Sequence, residues 1–124
     1  MPSSTKVITE AVMELYDRIV NVMEEKGLYL DSDLDIRMLA EAANSSRSVV
    51  SACINQNTGK PFRIWLSEYR LSLFVKRLRE APDPNNINEL VLQCGYKDLS
   101  TFRRQFKTAY GMTAREYCEQ LLKS

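Results

Sequence analysis

The chain has 124 residues, of which 44% are hydrophobic and 27% are charged, so its composition is that of a soluble globular domain and excludes wholesale disorder. It contains no histidine and three widely spaced cysteines, which disfavours a metal site, a disulfide framework and the most common general base. No uncharged run approaches the roughly 18 residues of a membrane span, and the polar start is unlike a signal peptide. We therefore expect a cytoplasmic protein with no membrane contact, no catalytic residues, no metal and no cofactor.

The net charge of +1 conceals an uneven distribution along the chain. Residues 1–34 carry three basic and seven acidic side chains, whereas residues 35–124 carry fourteen basic and nine acidic ones. Such asymmetry is compatible with a surface that faces a polyanion, and equally with an ordinary scatter of charge.

Apolar residues recur every three to four positions along nearly the whole chain, and no period-two strand pattern is present, which predicts an all-α fold of seven helices. The first helix carries an apolar stripe that includes Ile8 and Val12, and the third turns Val49 inward together with Val50, Cys53 and Ile54. Capping and breaking residues delimit the helices. The expected helix starts are Asp35, Ser46, Pro61, Asn85 or Asn86, Asp98 and a capping box from Thr113 to Glu116, and the expected stops are Gly27, Asn44, Gly59, Pro82, Gly95 and Gly111.

The second half of the chain repeats the first at an offset of 51 to 52 residues. Leu39 corresponds to Leu90, Ser46 to Asp98 and Trp65 to Tyr117. Each copy has a short helix, a tight turn and a second capped helix, which is the helix-turn-helix pattern, whereas a helical solenoid normally needs three or more copies. The predicted segments are an N-terminal helix and linker, a first helix-turn-helix, a linker helix, and a second helix-turn-helix with a C-terminal helix, at 1–34, 35–60, 61–81 and 82–124.

The second helix of a helix-turn-helix enters the major groove of DNA, so its outward face should carry base readers and phosphate donors. In the second copy the outward residues are Ser100, Thr101, Arg103, Arg104 and Lys107. Arginine can hold guanine O6 and N7 with two parallel hydrogen bonds, although a solvated basic face would have the same composition. The first copy offers Arg47, Ser48, Ser51, Ala52 and Asn55, with one charge among them. The linker helix, at about 20 residues and about 1.5 Å per residue, is roughly 30 Å long, close to the 34–36 Å between successive major-groove faces.

Residues 87–117, INELVLQCGYKDLSTFRRQFKTAYGMTAREY, resemble the signature of the AraC/XylS-type bacterial transcriptional regulators, and residues 39–59, LAEAANSSRSVVSACINQNTG, resemble the first helix-turn-helix of the same family. The resemblance covers about residues 35–122 and implies two helix-turn-helix subdomains, bridged by one helix, in adjacent major-groove segments of double-stranded promoter DNA. It also implies RNA polymerase as a partner, and the chain is either a stand-alone DNA reader or the output domain of a longer regulator with a sensor domain outside this chain. The base-facing positions it implies are Ser48, Ser51, Ala52, Asn55, Leu99, Ser100, Arg103 and Arg104. The phosphate-contact candidates are Arg47, Arg70, Thr101 and Lys107.

Five positions depart from the family pattern, and two of them are Val91, where alanine is customary, and Ala114, where proline is customary. Asn44 stands where the family often has glycine, and Ala52 and Asn55 stand where a basic residue is common. A helical protein-interaction module with weak DNA binding is therefore the alternative function. An enzyme is a third class, since some regulators of this fold carry a methyl-accepting cysteine, but here the cysteines lie on apolar helix faces with no histidine to activate them.

Overall fold

The computed structural model describes residues 3–124, with side chains from Met13 onwards. Within these residues the protein is all-α, with seven α-helices and no strand, as predicted. The expected apolar residues Ile8 and Val12 lie outside the described side chains. The helices are α1 (Ser3–Glu25), α2 (Ile36–Ala42), α3 (Arg47–Thr58), α4 (Phe62–Glu80), α5 (Ile87–Gln93), α6 (Leu99–Tyr110) and α7 (Ala114–Lys123), with short 3-10 helices at Leu28–Leu30 and Pro84–Asn86. None of the described helices is both long and apolar enough to cross a bilayer.

The chain divides into two compact units, Met1–Leu66 and Ser67–Ser124, and the division falls within α4. In the first unit, α1 packs against both α2 and α3. Ile19 and Met23 are fully buried, and the Tyr16 ring lies 6.4 Å from that of Trp65. The N-terminal helix is thus part of the core of the first unit, where it helps to hold α3.

The core of the second unit is an aromatic cluster supplied by α4 and α6. Phe74 of α4 and Phe106 of α6 are fully buried, with ring centroids 5.7 Å apart and at a steep angle of 79°. Phe102 joins them, at 4.7 Å from Phe74 and 5.5 Å from Phe106. Such ring pairs stabilise a core beyond the area that they bury, so one face of α6 is firmly committed to the interior.

The predicted helix caps are confirmed at four starts. The side chains of Asp35, Ser46 and Asp98 accept hydrogen bonds from the backbone N–H three residues ahead, at 2.8, 3.3 and 2.7 Å. Thr113 and Glu116 form the predicted capping box, in which each side chain accepts from the other residue's backbone N–H. These bonds satisfy amides that the first turn of a helix leaves unpaired.

The expected start of α5 is confirmed in position, because Asn86 is the residue before its first turn, but the side chain of Asn86 makes no capping hydrogen bond. The Asp83 carboxylate accepts from the backbone N–H of Asn85 at 2.9 Å and begins the 3-10 turn Pro84–Asn86, and neither asparagine side chain caps α5. Pro84 suits the first position of this turn because it has no N–H to satisfy. The sequence interpretation overlooked Asp83, which is as good a cap as asparagine and precedes the proline.

Candidate nucleic-acid interface

The first helix-turn-helix consists of α2 and α3, joined by a sharp turn at Asn44. This residue adopts the left-handed conformation, with φ of 56°, and the backbone N–H of Ser45 returns to the carbonyl of Ala40 at 2.9 Å. Asparagine tolerates this conformation better than most residues, which explains how it stands where the family often has glycine. Leu39 of α2 and Val50 of α3 are fully buried, so the turn is fixed from both sides.

The outward face of α3 carries every residue predicted for it. Ser48, Ser51, Ala52 and Asn55 are exposed, as is Arg47 in the first turn. They share one helix face because Val50, Cys53 and Ile54 are the buried ones. This face holds hydroxyl and amide groups, which can hydrogen-bond to base edges, with one cation at its start.

Val49 is a correction on the same helix. Its side chain was expected to point inward, but it is 51% exposed. Val49 stands between the exposed Ser48 and Val50, which is the first buried residue of α3. The apolar character of valine suggested burial, but the 3.6-residue period places the core face at Val50 and Ile54.

The second helix-turn-helix consists of α5 and α6, and Tyr96 braces its turn. This residue is 3% exposed, and its hydroxyl donates to the side-chain oxygen of Gln105 in α6 at 2.7 Å. Its ring meets Phe102 edge-on at 5.3 Å. Burial raises the pKa of Tyr96 above the ordinary range, so the phenol is neutral and remains a donor at physiological pH.

The outward face of α6 carries three exposed cations, Arg103, Arg104 and Lys107, together with exposed Ser100. Leu99, the other base-facing candidate, is half-buried at the start of the helix. Because Phe102 and Phe106 hold the opposite face in the aromatic cluster, these cations are presented on a helix that cannot easily rotate. The structure thus brings the predicted readers of the second copy onto one surface.

Thr101 is already engaged. Its backbone N–H and its hydroxyl both donate to the carboxylate of Asp98, at 2.7 and 3.1 Å. These bonds, with a smaller contribution from the nearby charge of Arg104, hold the pKa of Asp98 below its usual value. Because phosphate oxygens only accept hydrogen bonds, a phosphate contact by the side chain of Thr101 would require its hydroxyl to leave Asp98.

Arg70, the other phosphate candidate outside the reading helices, is half-buried on α4. Its guanidinium lies over the Tyr96 ring, 5.7 Å from the ring centroid. Arg79, in the last turn of α4, donates from Nε and Nη2 to the Tyr117 hydroxyl at 3.0 and 2.8 Å. These arginines of α4 thus hold neighbouring elements of the second unit in place.

The structure also reveals a basic residue that the sequence interpretation missed. Arg115, in the first turn of α7, lines a cavity of about 510 Å³ together with Arg103 and Lys107 of α6. The sequence shows that Arg115 lies two residues after the Thr113 cap, in the first turn of α7. The packing of α7 against α6, which brings Arg115 to the cavity, is seen only in the structure. The helix-turn-helix pattern assigns the DNA contacts to the second helix of each copy, so it predicted no contact for Arg115.

Cys53, Cys94 and Cys118 are buried and form no disulfide with one another. Burial raises the pKa of each thiol, which keeps it protonated and weakly nucleophilic. In the part of the chain that the structure describes, no cluster of three or more cysteine, aspartate and glutamate side chains has the arrangement of a metal site.

Two capped helices with exposed polar faces, each preceded by a short helix and a tight turn, define a DNA-binding domain of the helix-turn-helix class. The family comparison agrees, since a family model described as a helix-turn-helix domain matches residues 39–120. The chain therefore belongs to the AraC-type helix-turn-helix family, and it is a DNA-binding output domain of a transcription regulator.

Solved structures show the same fold. The crystal structure of the C-terminal domain of the two-component response regulator yesN from Fusobacterium nucleatum subsp. nucleatum is 29% identical, with a TM-score of 0.69, and the match covers 83% of this chain and 96% of that one. A protein of unknown function from Listeria innocua is 22% identical, with a TM-score of 0.68 over 82% and 94% of the two chains, and shows the fold alone. The comparison with curated proteins found no match.

Proposed function

We propose that the domain binds double-stranded promoter DNA sequence-specifically, with α3 and α6 in two adjacent major-groove segments. The observation that carries the proposal is the exposed row of Arg103, Arg104 and Lys107 on α6, whose opposite face is locked in the aromatic cluster. A rigid helix that presents two arginines can read guanines bidentately, and its lysine adds a contact with the phosphate backbone.

The two reading helices divide the task unequally. Ser100, Arg103 and Arg104 of α6 read bases, with Leu99 making apolar contacts, while Lys107 and Thr101 face phosphates. On α3, Arg47 anchors the start of the helix on a phosphate, and Ser48, Ser51, Ala52 and Asn55 read bases by hydrogen bonding and apolar fit. Arg70 reaches a phosphate only if it leaves the Tyr96 ring.

The domain acts by binding and performs no chemistry. The similar Fusobacterium structure is the C-terminal domain of a response regulator. This similarity supports the proposal that the domain receives its signal from a separate sensor domain. As a promoter-binding regulator it works in the cytoplasm and delivers that signal to RNA polymerase.

Selection of bound duplexes from a random double-stranded pool, at about 150 mM salt so that nonspecific binding is suppressed, tests the proposal. Two enriched blocks about one helical turn apart would support readout by both α3 and α6. A single block would leave only one helix as a reader and contradict the two-segment arrangement. Absence of any enrichment would favour a helical protein-interaction module, the alternative that the net charge of +1 suggests.

Two single variants then assign roles on α6. Arg104→Ala should weaken binding to the selected site by about 1–3 kcal/mol and relax the preference at one base pair. Lys107→Ala should weaken binding to every duplex alike and reduce the slope of log K against log salt by about one. Lys123→Ala, which removes an exposed charge from the far end of α7, is the matched control. Equal losses for Arg104→Ala on selected and scrambled duplexes would refute its role as a base reader.

A further inference from the structure

A cavity of about 510 Å³ lies in the second unit, between the turn that opens α5, the exposed side of α6 and the first turn of α7. Its volume falls within the range of about 300–1,000 Å³ that is usual for small-molecule sites. Nothing in the DNA-binding function described above requires a recess here, because base edges and phosphates are reached from a convex helix surface.

One wall of the cavity is apolar. Ile87 of α5, Phe102 of α6 and Ala114 of α7 belong to the buried core and present an edge to the cavity, and Leu99 extends the wall towards solvent. These side chains come from three helices that share the hydrophobic core of the second unit, so the wall is already formed before any ligand binds. A sugar-phosphate backbone has little apolar surface with which to fill it.

The rest of the lining is basic. Arg103, Lys107 and Arg115 all border the cavity, and no carboxylate is among its lining residues. Hydrogen bonds from Thr113 lower the pKa of the Glu116 carboxyl, and the nearby charge of Lys107 adds a smaller contribution. The Glu116 carboxylate is thus engaged by the Thr113 cap. Three cations beside an apolar wall, with the neighbouring carboxylate of Glu116 already hydrogen-bonded to Thr113, favour an anion that carries an apolar body.

We propose that this cavity binds a small organic carboxylate whose ring or aliphatic body lies against Leu99 and Phe102. The carboxylate pairs with the guanidinium groups of Arg103 and Arg115, whose planar forks match its two oxygens, and Lys107 supplies a third positive charge. A bulky dianion such as a nucleotide is the poorer match, because its polar sugar would have to cover the apolar wall.

The site has a regulatory consequence, which rests on the proposed function. Arg103 and Lys107 serve both the cavity and the DNA-binding face of α6, so a bound carboxylate withdraws them from DNA. Ligand and duplex then compete. A ligand present at ten times its dissociation constant would raise the apparent Kd for the duplex about tenfold.

Direct binding is measured first, on the full chain without DNA. The probe is 2-naphthoate, titrated to about 5 mM while backbone amide shifts are followed by NMR, and 2-naphthamide is the uncharged counterpart. We expect saturable shifts confined to residues around Ile87, Phe102 and Ala114, and binding of 2-naphthamide weaker by about tenfold or more. Scattered or non-saturating shifts, or equal binding of the two compounds, would overturn the proposal.

Two variants link the binding to the cations of the cavity. Arg115→Gln should weaken the probe by about tenfold, since it removes a charge-assisted pair, while Lys123→Gln on the same helix should leave it unchanged. Both side chains are exposed, so neither change should disturb the fold. Equal affinities in the two variants would show that Arg115 does not hold the carboxylate and would overturn the assignment.

Competition is measured last, against a duplex that the protein binds. A loss of duplex affinity that follows the occupancy by 2-naphthoate, and is absent with 2-naphthamide, supports the shared use of Arg103 and Lys107. If duplex binding is intact and the probe does not bind, the cavity proposal fails and the DNA-binding function stands. If the probe binds and no duplex does, the cavity is a ligand site and the proposed function fails. If the probe does not bind, and Arg115→Gln weakens the binding of all duplexes equally, the rim of the cavity is a phosphate contact instead.

Discussion

The turn that holds α6 depends on a single buried hydroxyl, that of Tyr96. The change Tyr96→Phe removes this hydroxyl and its 2.7 Å bond to Gln105, and leaves the ring in its edge-on contact with Phe102. A neutral hydrogen bond contributes about 0.5–1.5 kcal/mol net to stability. Gln105 is half-buried, so its freed oxygen can find water, and the variant should lose about 1 kcal/mol of unfolding free energy at pH 7.

The same hydroxyl should make the protein sensitive to alkali. Burial is the main cause that raises the pKa of Tyr96, with smaller contributions from Cys94 and Tyr110, against a lowering contribution from Arg70. A group whose pKa is raised by folding stabilises the protein fully below its unfolded pKa, about 10 for tyrosine, and this stabilisation is lost as the pH rises. Through Tyr96, each pH unit above that value removes up to about 1.4 kcal/mol of unfolding free energy from the native protein, a loss that Tyr96→Phe does not share.

These two effects have opposite signs and should cross. The native protein is more stable by about 1 kcal/mol at neutral pH, and that advantage should vanish between about pH 10.5 and 11 and then reverse. Urea unfolding followed by far-UV circular dichroism, at several pH values from 7 to about 11, measures the difference directly. A double-mutant cycle with Gln105→Ala should give a coupling energy of about 1 kcal/mol at pH 7. Parallel stability curves for the two proteins, or zero coupling, would refute the reasoning.

Three further predictions follow from burial and backbone geometry. Phe106→Ala should cost about 3–5 kcal/mol in urea unfolding and Phe106→Leu less than about 1.5, because the ring is fully buried among four others; similar losses would contradict that packing. Asn44→Ala should lose about 1 kcal/mol, while Asn44→Gly should lose almost nothing, since φ is 56°; equal stability would show that the turn relaxes. A thiol reagent at neutral pH should label Cys53, Cys94 and Cys118 only slowly until urea unfolds the protein, as each is buried with a raised thiol pKa; rapid labelling of one thiol in the folded protein would contradict this.

The helix boundaries were predictable because they depend on neighbours in the chain. Asp98 and Thr113 meet their partners three residues ahead, and that spacing is visible in the sequence. The left-handed turn at Asn44 is equally local. Asp83 caps the 3-10 turn before α5 by an equally local bond, to Asn85, and this cap was overlooked because Asn86 already marked the start of the helix.

Tertiary placement was harder to predict, as Arg70 and Val49 show. An arginine on a helix face that looks exposed suggests phosphate binding, yet Arg70 lies over the ring of Tyr96. The two residues are 26 positions apart, and the periodicity of the sequence does not predict a contact between them. Val49 looks like a core residue and is exposed, because helix rotation is set by the partners that α3 packs against. The same limitation concealed the cavity, whose lining comes from three separate helices.

The contrast between α3 and α6 has a consequence for how the domain would distinguish promoters. Cations neutralise phosphates and supply affinity that depends on salt but little on sequence, and α6 exposes three of them against one, Arg47, on α3. The face of α3 formed by Ser48, Ser51, Ala52 and Asn55 carries no charge, so in the proposed function it would gain energy only where base edges fit it. Binding by α6 alone would therefore be tight but permissive, and α3 would add energy mainly on the correct sequence. A helix that contributes little to nonspecific binding increases the ratio of specific to nonspecific affinity, and this ratio decides how well a regulator finds its site. The low charge of α3 is thus compatible with specific readout.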